Sequence, residues 1–192
     1  MHFARSNLRD NEGDCFVGKS TLLAMTRKNI MNEKPPVSIA LEELGVPHKI
    51  FRHDAARPVT SFEQAASDRG QRPEQVVRSI LFRIAEDEFI MALVAGPAQI
   101  SWKTLRKHLG RSRISMATED EVLAVTGYRI GTVGPFGLLN PLKVLIDASV
   151  MREDEISIGS GMRNTAIILK SADLRHALKN ADVVSLTQSA SP

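Results

Sequence analysis

The residues of this 192-residue chain with the clearest chemical potential are the glycines of two short segments. Residues 127–137 contain four glycines and a proline, and residues 159–163 read Gly-Ser-Gly-Met-Arg. Glycine lets a backbone approach a ligand closely and turn its N–H groups toward an anion or a developing oxyanion. Connecting turns use the same residues, and on physical grounds alone that simpler interpretation is favoured.

Arg78 is a cation inside the run 76–82, whose apolar residues predict a buried strand. Alternation along a strand puts Arg78 on the same side as Val76 and Ile80. This favours a position in a cleft over a position on the solvent face. In a cleft, a bound anion would offset the cost of removing the guanidinium from water.

A second group of cations lies between Trp102 and Ile114. Three of them, Lys103, Arg106 and Lys107, share a helix face by their three- and four-residue spacing. A solvated helix face is the default interpretation of such a cluster. Contact with the phosphate backbone of a nucleic acid is the alternative.

Other catalytic motifs are absent or lack their context. Residues 13–20 match the P-loop pattern, but no apolar strand precedes them, so NTP binding is a minor alternative that a nucleotide titration would test. The chain has no Gly-x-Ser-x-Gly elbow and no His-Glu-x-x-His zinc motif. Cys15 is the only cysteine, which excludes an intramolecular disulfide and a multi-cysteine zinc site. We therefore expect no metal and no cofactor.

The composition is that of a globular protein, with 43% hydrophobic and 24% charged residues. The net charge of +3 is modest, so any RNA contact must be a local patch, and the 5% aromatic content argues against a base-stacking platform. Apolar stretches are far shorter than the roughly 20 residues of a membrane span. Residues 1–14 are charged throughout, unlike a signal peptide. We expect a soluble cytoplasmic protein without a membrane partner.

The chain divides by its regularity. Residues 1–35 are polar and weakly periodic, which predicts a weakly structured N-terminal extension, and Met31 is a candidate alternative start. Residues 36–187 predict one folded domain, and residues 188–192 a short tail. Helices are predicted at 37–44, 61–69, 101–109, 118–125 and 171–178, from apolar periodicity, cap residues and closing glycines. Strands are predicted at 49–52, 76–83, 88–95, 144–148, 155–158 and 166–169.

Together these features resemble the YbaK/prolyl-tRNA-synthetase-associated domain, a family of aminoacyl-tRNA deacylases, over residues 37–186. The first feature is Leu-Gly-Val-Pro-His at 44–48, leading to His53 and to residues 59–66. The second is the strand 76–82 with its cation, and the third is the segment 126–135, which fits the family's Gly-x-x-x-Pro motif. The fourth is 158–163, followed by a strand and Ala-Asp-Leu at 172–174.

The resemblance implies an α/β (α+β) domain with a mixed, mostly antiparallel sheet flanked by short helices. It implies hydrolysis of the ester of a mischarged tRNA in trans, with the aminoacyl-tRNA 3′ end as substrate and an aminoacyl-tRNA synthetase as a further partner. The catalytic residues are then expected to be Arg78 and His53. The substrate-binding residues are expected to be Thr60, Gly131, Gly134, Pro135, Gly159, Ser160, Gly161 and Arg163. Lys103, Arg106 and Lys107 are the expected tRNA contacts.

The chain departs from the family pattern at several positions. The usual strand lysine is Arg78, and a planar guanidinium is not interchangeable with an ammonium. Asn164 replaces a frequent glycine, Ala166 an aspartate, and His53 a tyrosine of cysteine-specific members. For His53 a packed structural histidine is an equally good interpretation. The alternative to an enzyme is a non-catalytic tRNA- or synthetase-binding module of the same fold.

Overall fold

The computed structural model describes residues 33–54, 56, 59 and 61–187, and those from Pro35 onward belong to one compact unit. Six features named above lie outside these residues: the N-terminal extension up to residue 32, the P-loop match at 13–20, Cys15, Met31, Thr60 and the tail at 188–192. The predictions made for them stay predictions.

Short helices begin at the cap residues that the sequence offers. Ser61 and Ser101 each accept a hydrogen bond from the N–H group three residues on, and Thr118 and Glu121 form a reciprocal capping box. The described helices are α1 (Pro36–Glu43), α2 (Phe62–Asp68), α3 (Trp102–Leu109), α4 (Glu119–Thr126) and α5 (Ser171–Ala177), with 3₁₀ turns at Pro73–Gln75 and Ala148–Arg152. None of these helices has the length and apolar character that a bilayer crossing requires.

The strands lie in two sheets. In chain order they are β1 (Lys49–Arg52), β2 (Val77–Ala85), β3 (Glu88–Ala95), β4 (Ser115–Met116), β5 (Lys143–Asp147), β6 (Glu155–Gly159), β7 (Thr165–Lys170) and β8 (Asp182–Val184). The three-stranded sheet has the order β1-β7-β6 and is antiparallel. The five-stranded sheet has the order β4-β2-β3-β5-β8, and β5 runs parallel to both of its neighbours.

The predicted fold class is therefore confirmed as mixed and mostly antiparallel, with the added detail of two sheets. A parallel bridge between Val76 and Ser157 joins them just before β2. A cleft lies next to that bridge, and both Val76 and Ser157 line it.

Alternation along the central strand β3 separates two apolar cores. Met91 and Leu93 belong to a core that also contains residues of β6 and β7, so this core lies between the two sheets. Ile90 and Ala92 belong to a second core together with Leu105 of α3, so α3 covers the opposite face of the five-stranded sheet. Each fully buried Met, Leu or Ile side chain among these contributes about 1.5–3 kcal/mol to folding.

Candidate active site

The cleft has a volume of about 480 Å³. Its walls come from one face of α2, the start of β2, and the two segments 130–133 and 157–166. Of the described residues that line it, Arg69, Arg78 and Arg163 are cationic and none is an Asp or a Glu. A concave surface with cations and no carboxylate attracts an anionic ligand.

Arg78 enters the cleft from β2, the position that strand alternation favoured. Its guanidinium donates a hydrogen bond to the carbonyl oxygen of Ala98, and its Cζ lies 5.9 Å from the centre of the Phe62 ring. Partial burial lowers the pKa of Arg78 from its usual value. Its Nε is buried and has no hydrogen-bond partner among the described residues. The guanidinium is thus held in place while donor capacity remains for a ligand.

His53 also lines the cleft, and it is held by two contacts of its ring and one of its backbone. Nδ1 lies 3.1 Å from Oδ2 of Asp68, and the ring meets Phe51 edge-on with centroids 5.0 Å apart. The backbone N–H of His53 donates to the carbonyl oxygen of Asn164 at 2.8 Å. The carboxylate favours a proton on Nδ1, which leaves Nε2 as an acceptor. This arrangement suits a base that orients water or a ribose hydroxyl.

The two glycine-rich segments are in direct contact. A Cβ at Gly134 would lie 2.4 Å from the Gly159 carbonyl oxygen, and one at Gly159 would lie 2.2 Å from that of Val133. The N–H of Gly161 donates to the carbonyl oxygen of Thr132 at 2.8 Å. The structure therefore brings together the segments that the sequence singled out, and glycine at 134 and 159 permits close backbone packing.

The other predicted site residues are distributed between the cleft and its support. Gly131, Gly159 and Arg163 line the cleft. The residues that do not line it are Gly134, Pro135, Ser160 and Gly161.

Ser160 illustrates the supporting role. Its Oγ accepts a hydrogen bond from the N–H of Met162 at 3.1 Å and lies 2.9 Å from the carbonyl oxygen of Thr165, to which it can donate. The side chain is fully buried. Ser160 therefore fixes the shape of its own loop and presents no hydroxyl to a ligand.

The basic helix face lies outside the cleft. Lys103, Arg106 and Lys107 are exposed, and their helix α3 packs through Leu105 on the far face of the five-stranded sheet. They remain predicted tRNA contacts.

Several cleft residues were not identified from the sequence. Phe62 and Arg69 lie on one face of α2, seven residues apart, and Ser79 and Ser157 add two buried hydroxyl groups. The helical spacing of Phe62 and Arg69 is visible in the sequence. That this face of α2 turns toward a ligand cleft depends on packing.

Comparison with known proteins shows to which family the chain belongs. The model of the aminoacyl-tRNA editing domain matches residues 56–177. The chain belongs to the aminoacyl-tRNA editing domain family. The resemblance noted in the sequence is confirmed.

Similar proteins include one uncharacterised protein and two whose names refer to tRNA editing or deacylation. The chain is 37% identical over 112 residues to the uncharacterised protein YwhH of Bacillus subtilis (strain 168), which is 58% of this chain and 71% of that protein. It is 28% identical over 137 residues to the multifunctional Ser/Thr-tRNA deacylase ProXp-y of Escherichia coli (strain K12), covering 69% and 80%. The crystal structure of a candidate trans-editing enzyme for prolyl-tRNA synthetase superposes with a TM-score of 0.72 at 26% identity, over 80% of this chain and 96% of that one.

Family membership clarifies one departure. Asn164 stands where the resemblance led us to expect a glycine, and its φ is 55°. Asparagine is several-fold enriched among non-glycine residues in this left-handed region. The local backbone is therefore maintained without glycine.

Proposed function

We propose that the chain is a trans-acting aminoacyl-tRNA deacylase. The observation that carries this proposal is a cleft with cations and no carboxylate among its described lining residues, in a member of the editing-domain family. In the reaction, the oxygen of water adds to the ester carbonyl carbon and the bond to the ribose oxygen breaks. The ribose oxygen takes up a proton, and the free amino acid and the uncharged tRNA leave.

Arg78 is proposed to bind the 3′-terminal nucleotide or the acyl carbonyl. The hydrogen bond to Ala98 and the ring of Phe62 hold the guanidinium in the cleft. The Arg78 side chain therefore loses little further conformational freedom when a ligand binds to it. A phosphate or carbonyl oxygen would satisfy the donor that the protein leaves unpaired.

His53 is proposed to orient the attacking water or a ribose hydroxyl through Nε2, with Asp68 holding the ring. Gly131, Gly159 and Arg163 would border the acyl group, and Thr60 completes this predicted set. We propose that the wall formed by the closely packed glycine segments, and not the total volume of the cleft, limits by steric clash the size of the acyl group that is accepted.

The basic face of α3 is proposed to contact the tRNA backbone outside the cleft. Lys103, Arg106 and Lys107 would contribute sequence-independent affinity, which falls as salt rises. An aminoacyl-tRNA synthetase is proposed as a further partner, since a similar solved structure is described as a candidate enzyme acting for prolyl-tRNA synthetase.

The test is a deacylation screen with tRNAs charged with Ala, Ser, Cys or Pro. We expect turnover of at least one small aminoacyl ester, and loss of that turnover in Arg78→Ala. Arg83→Ala is the matched control, because Arg83 lies on the same strand, is exposed and pairs with Glu121 outside the cleft. Tight binding of aminoacyl-tRNA without turnover would instead select the non-catalytic module. Absence of both binding and turnover would overturn the proposal.

A further inference from the structure

Arg69 is a second cation of the cleft with no role in the account given above. Phe62, Ala65 and Arg69 are spaced by three and four residues, so they share the face of α2 that lines the cleft. Arg69 stands at the C-cap of this helix, where its N–H donates to the carbonyl oxygen of Ala66 at 3.0 Å. Its backbone position is thus well defined.

The Arg69 side chain is a partly buried charge that forms no ion pair with the described residues. Burial lowers the pKa of Arg69 to about 10, although the nearby Asp68 carboxylate acts in the opposite direction. The side chain therefore stays protonated at neutral pH. No carboxylate in the described part of the chain lies within ion-pair distance of it, and Asp68 accepts a hydrogen bond from His53. Keeping such a charge out of water is costly unless an anion offsets it.

Unpaired polar atoms are concentrated in this cleft. Among the described residues, six buried side-chain nitrogen or oxygen atoms have no hydrogen-bond partner. Four of them belong to cleft-lining residues: Nε of Arg69, Nε of Arg78, Oγ of Ser79 and Oγ of Ser157. Because buried polar groups are nearly always paired, this concentration is the pattern of a site that ordered water or a ligand completes.

The two guanidinium groups lie at different places along α2, so they can contact different parts of one ligand. Arg78 lies against Phe62 at the start of α2, whereas Arg69 lies at the end of the helix. Seven residues of α-helix rise by about 10 Å. A ligand with anionic groups repeated along its length can reach both cations, and the single-stranded 3′ end of a tRNA has that chemistry.

We infer that Arg69 binds a second phosphate of the tRNA 3′ strand, one nucleotide away from the group bound by Arg78. This inference rests on the proposed function and extends it from the terminal nucleotide to the preceding backbone. The alternative is that the aliphatic stem of Arg69 only covers apolar surface.

The experiment measures nucleotide affinity as a function of salt. The probes are adenosine 5′-monophosphate, with one phosphate, and 5′-phosphorylated cytidylyl-adenosine, with two. The variants are Arg69→Met, which keeps the stem and removes the charge, Arg69→Lys, and the control Arg72→Met. Arg72 is exposed and pairs with Glu153 away from the cleft.

We expect Arg69→Met to bind the dinucleotide about 10-fold more weakly at low salt, because it loses a charged hydrogen bond. Its plot of log affinity against log salt should be shallower by about 0.7, the value for one phosphate contact on a single strand. Arg69→Lys should restore most of that slope. The mononucleotide should bind Arg69→Met and wild type equally, and Arg72→Met should match wild type throughout.

The outcomes separate the two proposals. An Arg69→Met protein that keeps the wild-type affinity and slope for the dinucleotide overturns the role of Arg69 while leaving deacylation by the wild type intact. A wild-type protein that binds neither probe and deacylates no tRNA overturns both. Thermal unfolding of each variant identifies any that is misfolded. If Arg69→Met is misfolded, Arg69→Gln, which also removes the charge, replaces it, and a wild-type slope in Arg69→Gln overturns the role of Arg69.

Discussion

Substituting Gly159 by alanine would place a methyl group inside the contact between the two glycine-rich segments. An ideal Cβ there would lie 2.2 Å from the Val133 carbonyl oxygen and 2.5 Å from that of Thr132. The φ of Gly159 is not positive, so the effect would come from this collision and not from backbone strain. Overpacking costs about 1–3 kcal/mol, and we expect about 3 kcal/mol because backbone atoms must move.

The same contact can be tested from its other side. A Cβ at Gly134 would lie 2.4 Å from the Gly159 carbonyl oxygen, also without a positive φ. Either substitution alone should push the segments apart, so the double variant should lose less stability than the sum of the two. Gly110→Ala is the control: it lies at the C-cap of α3, its φ is 63°, and no atom lies within 4 Å of the added Cβ. It should cost about 1–2 kcal/mol of strain and add independently.

Thermal and urea unfolding measure these losses. For a domain of this size, 1 kcal/mol shifts Tm by about 2–4 °C, so Gly159→Ala should lower Tm by about 6–12 °C. Strict additivity of Gly134→Ala and Gly159→Ala would refute the reasoning, since independent sites add to within about 0.5 kcal/mol. A Gly159→Ala protein as stable as wild type would refute it as well.

Three further substitutions test other parts of the structure. Arg78→Met should lower kcat/KM for deacylation by about 10- to 100-fold through loss of a charged hydrogen bond. Calorimetry should show little change in stability, because removal of a partly desolvated charge offsets the loss of the hydrogen bond to Ala98. Tyr128→Phe should cost about 1–2 kcal/mol in urea unfolding, since the single proton of the buried hydroxyl is shared between the carbonyl oxygens of residues 136 and 137. Burial acts to raise the pKa of Asp147, but hydrogen bonds from Ser149, Leu186 and Thr187 outweigh it and lower that pKa. Its contribution to stability is therefore present above the unfolded-state pKa and is lost as pH falls through the lower folded-state pKa. Asp147→Asn should be less stable at pH 7, and its stability should decline less between about pH 5 and pH 1.

Much of the fold could be predicted because its signals are local. The strand at 49–52 and the helix that follows Ser101 coincide with their predictions, because a cap, a closing glycine or an apolar run marks each end. Strands β4 and β8 were missed. They have two and three residues, and their strand conformation comes from pairing with β2 and β5. No run that short has a periodicity to detect.

The residues of the candidate site also differ in whether local sequence reveals them. Arg78 could be identified because a cation interrupts an apolar strand, a contradiction that local sequence shows. Arg69 could not, because a cation at a helix C-terminus is favourable on electrostatic grounds and needs no ligand to explain it. Its burial follows only from the way α2 packs over the cleft. The glycines at 134 and 159 were recognised, but their close backbone contact requires the two loops to be brought together.

Arg78, which stands where the resemblance led us to expect a lysine, contacts the segment between the cleft and the basic helix. The Arg78 guanidinium donates to the carbonyl oxygen of Ala98, in the segment that leads into α3. That segment is fixed at its other end by Ser101, which caps α3 and donates its N–H to the Leu186 carbonyl oxygen at 2.8 Å. A guanidinium has five donors and can serve this carbonyl and a ligand together, whereas an ammonium has three on a more flexible stem. Arg78 is thus both the residue proposed to bind the 3′ end and a contact of the segment that leads into α3, the helix proposed to bind the tRNA backbone.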